Sequence, residues 1–402
     1  MNIPHAVLAV MVDFSKAFNR INHNRIIAIL SRMGVPAWLL RIVIGFLTDR
    51  ELIVRYKGRT SGRKSLPGGG PQGTRLGLFL FLILINAAGY DQLTKNVGHH
   101  IIQKKNKRTK IPNIHLKFVD DMTLGEAFNL RECLVPNPDP NQPLPLAYHD
   151  RTKQVLPDNA NVMQTQLNKL VEYCTENDMR INQGKTKVTL FNTARLNDFM
   201  PRLCIDGNTH LEVVEEFKLL GVVFQSNLRW QANTDFICKK AYARLWMIRR
   251  LKGLGASSTE MMDVFNKQIR CVLEMAVAVW EPYLNKAQSK QLERVQQCAF
   301  YIIMGNSYTN YEAAVSYLES DKLSVRRSKL CLSFALKCEK NLKYQNWFSV
   351  SDTDEVPLPN TRSDKSTRHT KYKPVPTRTD RYERSPIPYL TNVLNEHYCK
   401  KK

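Results

Sequence analysis

Phe118-Val119-Asp120-Asp121 (FVDD) follows the apolar-polar run at 114–117, and the reading of these four residues decides the fold. Two ionised carboxylates side by side repel one another, so a chain tolerates the pair at an apolar strand end mainly where cations neutralise it. Hard oxygen ligands of this kind suit Mg²⁺ or Mn²⁺. A pair of such ions clamps the attacking and leaving oxygens of a phosphoryl transfer. An Asp pair after a hydrophobic strand also makes an ordinary solvated turn, so its companions in the chain have to decide between the two.

The first companion is residues 6–14 (AVLAVMVDF), a Val-rich continuous apolar run ending in an acid, which is the pattern of a buried central strand with Asp13 at its carboxyl end. A chain that starts inside a core element points to a larger domain upstream, since a central strand needs covered neighbours. Residues 15–33 are helix-compatible with Gly34 as the stop, and a second helix is expected over 36–48 with Pro36 in its first turn. Residues 50–66 read as a basic hairpin carrying Arg50, Arg55, Lys57, Arg59, Arg63 and Lys64. It leads into LPGGGPQGTRLG at 66–77, where glycines let the backbone approach a ligand closely and expose its amides. The apolar run to Ala88 that follows reads as a buried helix whose positive N-terminus faces the loop.

Residues 104–110 (KKNKRTK) read as a mobile basic loop before the strand at 114–119, and the Pro- and Asn-rich stretch at about 129–161 as an inserted surface loop. An amphipathic helix is expected over 162–178, with short strands at 187–191 and 217–224. From Thr234 the pattern becomes all-helical, with basic residues such as Lys239, Lys240, Arg244, Arg249 and Arg250 opposing an apolar stripe. Helices are expected there to about Gly253, then over 259–279, 286–304 and 324–338. After Phe348 the chain turns polar, Pro-rich and Arg-rich, the composition of disorder over 351–402.

Composition narrows the partners. The 402 residues hold 59 Lys plus Arg against 36 Asp plus Glu, a formal charge of +23, which implies a polyanion such as nucleic acid. A hydrophobic content of 43% is ample for two or three cored domains. The nine cysteines are odd in number and form no Cys-x-x-Cys pair. That pattern indicates neither a disulfide framework nor a zinc site and fits a reducing nuclear or cytoplasmic compartment rather than secretion. The most apolar segment, 76–88, is shorter than the roughly 20 residues a spanning helix needs, so no membrane partner is expected.

In DFSKAF at 13–18, GPQG at 70–73, FVDD at 118–121 and INQGKTKV at 181–188, the chain resembles the reverse transcriptases of non-LTR retrotransposons, the LINE-like and jockey-like group. KLLGVVF at 218–224, followed by AYARLW and IRRL, resembles the palm-to-thumb junction and thumb of that group, and the resemblance runs over roughly residues 5–345. It implies an α+β fold: a polymerase palm, an antiparallel sheet with packed helices, over 1–225; an all-helical thumb over 226–345; and a basic tail over 346–402, with the fingers largely missing. By the same resemblance Asp13 and Asp120 each hold both catalytic Mg²⁺ ions (Mn²⁺ as substitute), with Asp121 at the rim and the Phe14 carbonyl as a further ligand. Phe18 matches the steric gate against a ribose 2′-hydroxyl. Gln72 and Gly73 lie against the template base and incoming nucleotide, and Lys185 matches the residue that protonates pyrophosphate, with Lys187 two positions away as its rival.

Three departures from the family pattern stand out: Asn19 where an Asp is usual, Gly70 where Val is usual, and Leu78 where Pro is usual. The last two loosen the glycine loop. Two function classes follow. One is an RNA-directed DNA polymerase extending a DNA primer on an RNA template with dNTPs. The other is a catalytically inactive, truncated remnant acting as a basic nucleic-acid-binding module whose affinity falls steeply with salt.

Overall fold

The computed structural model describes residues 5–66, 68–71, 73–86, 100–104, 107–111, 114–118, 121–129, 158–192, 203–205, 207, 209–350, 370–377 and 380–399. These form two compact units, which divide at Phe217/Lys218 apart from a short exchange at 218–228.

The first unit is α+β. Strand β1 (His5–Val12) lies at the centre of a five-stranded sheet, with β2 (Ile114–Phe118), β3 (Asp121–Asn129), β4 (Lys187–Asn192) and β5 (Glu212–Val213) in the order β5-β4-β1-β3-β2. The central position explains the unbroken apolar run of β1, where Ala6, Leu8, Val10 and Val12 are buried. The sheet is antiparallel from β4 through β2, but β4 pairs with β5 in parallel, so it is mixed rather than purely antiparallel as the sequence implied.

Helices α1 (His23–Arg32), α2 (Ala37–Leu47), α3 (Arg75–Asn86) and α4 (Asp158–Glu176) complete this unit. Leu80, Phe81 and Leu84 of α3 and Met163, Leu167 and Leu170 of α4 share one core with Leu8, Val10, Met122 and Leu124 of the sheet. The Tyr173 hydroxyl of α4 donates to the Leu84 carbonyl of α3. The single helix expected over 15–33 is instead a 3₁₀ turn at Ala17–Arg20 followed by α1. The reason is competition for carbonyls: the Gly69 and Gly70 amides donate to Ile21 and Phe18, groups that a continuous helix would use itself. Asn22 then caps α1 by accepting from the Arg25 amide. The basic stretch expected as a loop at 104–110 contains paired strands, His100–Lys104 against Lys107–Ile111, as the β-branched Ile101, Ile102, Thr109 and Ile111 favour. The hairpin expected over 50–66 is two short antiparallel pairs with every residue of 51–65 exposed. Most of the inserted loop expected at 129–161 lies outside the described residues.

The chain leaves the first unit within the hairpin of β6 (Glu216–Leu219) and β7 (Val222–Gln225). One continuous strand is expected over 217–224. Leu220 (φ 47°) and Gly221 (φ 85°) turn it back, because two successive positive φ values make the tight turn that matches strand twist.

The second unit is helical. Helix α5 (Gln231–Gly253) buries Ile237, Ala241, Leu245 and Ile248, and α6 (Lys286–Met304) packs against it through Leu292, Val295, Ala299 and Phe300. The helix expected over 259–279 is broken: a π-helical turn at Phe265–Arg270 interrupts it, and Ala276 at φ 51° ends it. The Trp280 indole N–H donates to the Met275 carbonyl, capturing an acceptor at the break. Helix α7 (Leu323–Lys340) carries Arg327, whose fully buried guanidinium donates to Glu281 at 2.6 Å and to Ser289 at 2.7 Å. The tail expected to be disordered is not so over 370–377 and 380–399. Helix α8 (Pro386–Cys399) buries Leu390 and Leu394 against Ala335 and Cys338 of α7, and a four-residue leucine spacing within a polar, Arg-rich stretch is what builds that contact. No helix among the described residues is long and apolar enough to cross a membrane.

Candidate active site

The candidate site sits at one end of the first unit's sheet, and its centre is assembled by strand register. Val12, the last residue of β1, lies opposite Met122 of β3. Asp13 follows Val12 and Asp121 precedes Met122, so two acids remote in sequence flank this last pair at neighbouring strand ends. Asp121 is opposite Phe118, the last residue of β2. Asp120, with Gln72, lies outside the described residues. Among the described residues no group of three or more His, Cys, Asp or Glu side chains forms a metal cluster.

The donor set suits a hard divalent cation in its chemistry: Asp13 is half-buried, Asp121 is exposed, and both offer carboxylate oxygens. The Phe14 carbonyl fits as well. Phe14 and Ile181 form an isolated antiparallel bridge in which the hydrogen bonds come from the flanking residues: the Asn182 amide donates to the Asp13 carbonyl at 2.7 Å and the Ser15 amide to the Arg180 carbonyl at 2.8 Å. Phe14 is therefore the non-hydrogen-bonded residue of the pair, and its own carbonyl points away from Ile181.

The loop at 180–186 thus holds Asp13 from behind. Besides the Asn182 bond, the Asp13 amide donates to the Thr186 hydroxyl at 3.2 Å, and Thr186 is completely buried. The turn itself is closed by the Lys185 and Thr186 amides donating to the Asn182 carbonyl. Lys185 is exposed on this turn. Its rival Lys187 donates to the Gly184 carbonyl at 2.9 Å and pairs with Glu212, so it is committed elsewhere. Sequence reasoning singled out the lysine of INQGKTKV and missed Asn182 and Thr186. A hydroxyl residue heading a buried strand was the available signal.

The glycine loop docks on the segment that carries Phe18. Gly69 and Gly70 donate to the Ile21 and Phe18 carbonyls at 2.9 and 2.8 Å, and the Gly69 carbonyl accepts from Arg50 at 2.9 Å and from His23 Nε2 at 2.8 Å. Neither Arg50 nor His23 was picked out from the sequence for this role. A Cβ on Gly69, at φ 85°, would lie 3.1 Å from the Asn19 carbonyl oxygen, and one on Gly77 would lie 2.3 Å from the Pro71 carbonyl oxygen. Gly73 is at φ 83° with open space around it. Thr74 accepts from the Gly77 amide and so caps α3. The Phe18 ring is half-buried and packs on Phe81 with centroids 4.5 Å apart. The glycine loop is thus hydrogen-bonded to the Phe18 segment through Gly69 and Gly70, and Asp13 is hydrogen-bonded to the loop that carries Lys185.

Three comparisons bear on what this arrangement is. No family model matches the chain. It is 20% identical over 310 residues to a Drosophila melanogaster protein described as "Probable RNA-directed DNA polymerase from transposon BS", a match covering 73% of this chain and 29% of that protein. The chain therefore spans less than a third of that relative. Among solved structures, telomerase from Candida albicans in complex with a TWJ fragment of telomeric RNA aligns over 85% of this chain and 50% of that one, at 10% identity and a TM-score of 0.31, too low to argue from. The sequence match thus gives the chain a distant similarity, over its matched 310 residues, to a transposon protein described as a probable RNA-directed DNA polymerase.

Proposed function

We propose that the chain is an RNA-directed DNA polymerase that adds dNTPs to a primer 3′ end on an RNA template. The single observation that supports this reading is the β1–β3 register, in which Val12, next to Asp13 in the chain, lies opposite Met122, next to Asp121. Asp13, Asp120 and the Phe14 carbonyl would hold two Mg²⁺ ions, with Asp121 at the rim. Bound there, the metals would supply charge to neutralise the triphosphate and to lower the pKa of the primer hydroxyl. The chain's own groups do the rest. Phe18 excludes a ribose 2′-hydroxyl, Gln72 and the flexible Gly73 lie against the template base and incoming nucleotide, and Lys185 hands a proton to the departing pyrophosphate.

The +23 charge supports a second reading, a nucleic-acid-binding remnant without catalysis. One assay separates the two. Purified protein, an RNA template, a DNA primer, dNTPs and Mg²⁺ give extension in the first reading, with a loss of about a thousandfold or more, roughly 4 kcal/mol of barrier, in Asp120→Ala. Binding of template and primer with no extension by the parent protein overturns the polymerase reading in favour of the remnant.

A further inference from the structure

Away from the sheet end, the loop 204–210 carries a pair of side chains that polymerase chemistry leaves unused. Cys204 and His210 form an isolated antiparallel bridge, and the Cys204 Sγ lies 3.0 Å from His210 Nδ1. The cysteine is half-buried and the histidine exposed, so a small reagent can reach the thiol. The pair is also built rather than incidental. The Gln164 side chain of α4 clamps Cys204 on both sides: the Cys204 amide donates to Gln164 Oε1 at 2.9 Å, and Gln164 Nε2 donates to the Cys204 carbonyl at 2.6 Å. Leu203 and Leu211, flanking the loop, are buried and joined by a 2.8 Å backbone hydrogen bond.

We propose that Cys204 is a modification site whose substrates are small disulfides of the oxidised-glutathione class, with His210 as its general base. As the thiol attacks, Nδ1 takes its proton, a bond forms between Sγ and one sulfur of the disulfide, and the disulfide's S–S bond breaks. The departing thiolate recovers the proton from His210, so Cys204 is oxidised to a mixed disulfide and one small thiol is released. Four other described cysteines sit in different surroundings. Burial pushes the thiols of Cys174 and Cys331 up to about 12 and that of Cys238 to about 11, and the exposed Cys271 spends its S–H on the Lys267 carbonyl.

The test is peptide-resolved mass spectrometry of the full chain exposed to oxidised glutathione, and separately to iodoacetamide, at pH 7. Cys204 should react about tenfold faster than Cys271, Cys298 or Cys399, and His210→Gln should abolish that advantage while leaving the other rates unchanged. Should the variant fold poorly, His210→Asn and the ratio of Cys204 to Cys298 labelling within one sample serve the same purpose. A Cys204 rate equal to that of the other exposed cysteines, or one untouched by both substitutions, overturns the proposal. Since no nucleic acid or metal enters the assay, the result is independent of the polymerase reading.

Discussion

Replacing Thr186 by Val tests whether the loop at 180–186 positions Asp13. Valine keeps the shape of threonine but removes the hydroxyl that accepts the Asp13 amide at 3.2 Å, in a place where Thr186 has no solvent exposure. An amide left without an acceptor in such a site costs about 1–3 kcal/mol. At about 1.4 kcal/mol per decade, local opening at Asp13 should rise roughly 5- to 150-fold. Thr186→Ser is the control: it keeps the acceptor and loses one buried methyl, about 0.8 kcal/mol. Both variants lower global stability, so an unfolding midpoint by itself does not isolate the effect at Asp13. Native-state hydrogen exchange at the Asp13 amide does. Exchange should accelerate in the valine variant beyond what its global destabilisation explains, and follow global stability in the serine variant. If the two variants exchange alike at Asp13, the hydroxyl does not hold the strand end and the positioning argument fails. The accompanying functional readout is Mn²⁺ affinity, which should weaken in the valine variant and recover in the serine one if Asp13 is a ligand held in place from behind.

Three further outcomes follow from the geometry. Gly69→Ala and Gly73→Ala share a positive φ, but only at Gly69 does a Cβ meet backbone; the first should lower the urea unfolding free energy by more than about 2 kcal/mol and the second by about 1, and equal losses would refute the docking of this loop on the Phe18 segment. Lys185→Ala should lower kcat for nucleotide addition while Lys187→Ala, which breaks only the links to Glu212 and Gly184, leaves kcat within about threefold and slightly shifts stability; a reversed order would move the proton-donor assignment. In the tail, burial alone would raise the Glu339 carboxyl, but donors from Lys371, Tyr372 and Tyr398 outweigh it and hold the carboxyl below its ordinary range. A depressed acid stabilises the fold above its unfolded pKa and loses that contribution as pH falls through the folded value. Proteolysis of the 370–399 segment should therefore increase on acidification below about pH 4.5 in the parent protein, and Glu339→Gln should show the faster cleavage already at neutral pH.

How far these features were legible in the sequence depended on what kind of interaction made them. Strand β1 could be read directly because a central strand needs both faces apolar, and the helix expected over 286–304 is α6, whose start is fixed by a capping box of Asn285 and Gln288 that was not read from the sequence. The breaks were not legible. Whether 15–33 is one helix is settled by Gly69 and Gly70 taking its carbonyls from about fifty positions downstream in sequence, which no local window contains. The order in α8 escaped for a related reason: mean composition over 351–402 says disorder, while Leu390 and Leu394 are buried by residues from elsewhere in the chain, Ala335 and Cys338 of α7 with Phe348 and Tyr372.

The candidate site divides along the same line, and the division explains which substitutions are informative there. The residues proposed from the sequence, Asp13, Phe18, Gly73, Asp121 and Lys185, are those whose side-chain chemistry or backbone freedom is itself the signal. Those that were missed, Asn182, Thr186, His23 and Arg50, act on main-chain atoms: they bind the amide or carbonyl of Asp13 or Gly69, and a backbone group looks alike in every residue type. A metal site made of carboxylates depends on ligand position to within a fraction of an ångström, and side chains alone do not fix where a strand ends. The loop that hydrogen-bonds both the amide and the carbonyl of Asp13 does fix it. Thr186→Val, which removes only the hydroxyl, should therefore perturb the ligand geometry through reduced metal affinity with the carboxylates intact, whereas Thr186→Ser, which keeps the acceptor, should not.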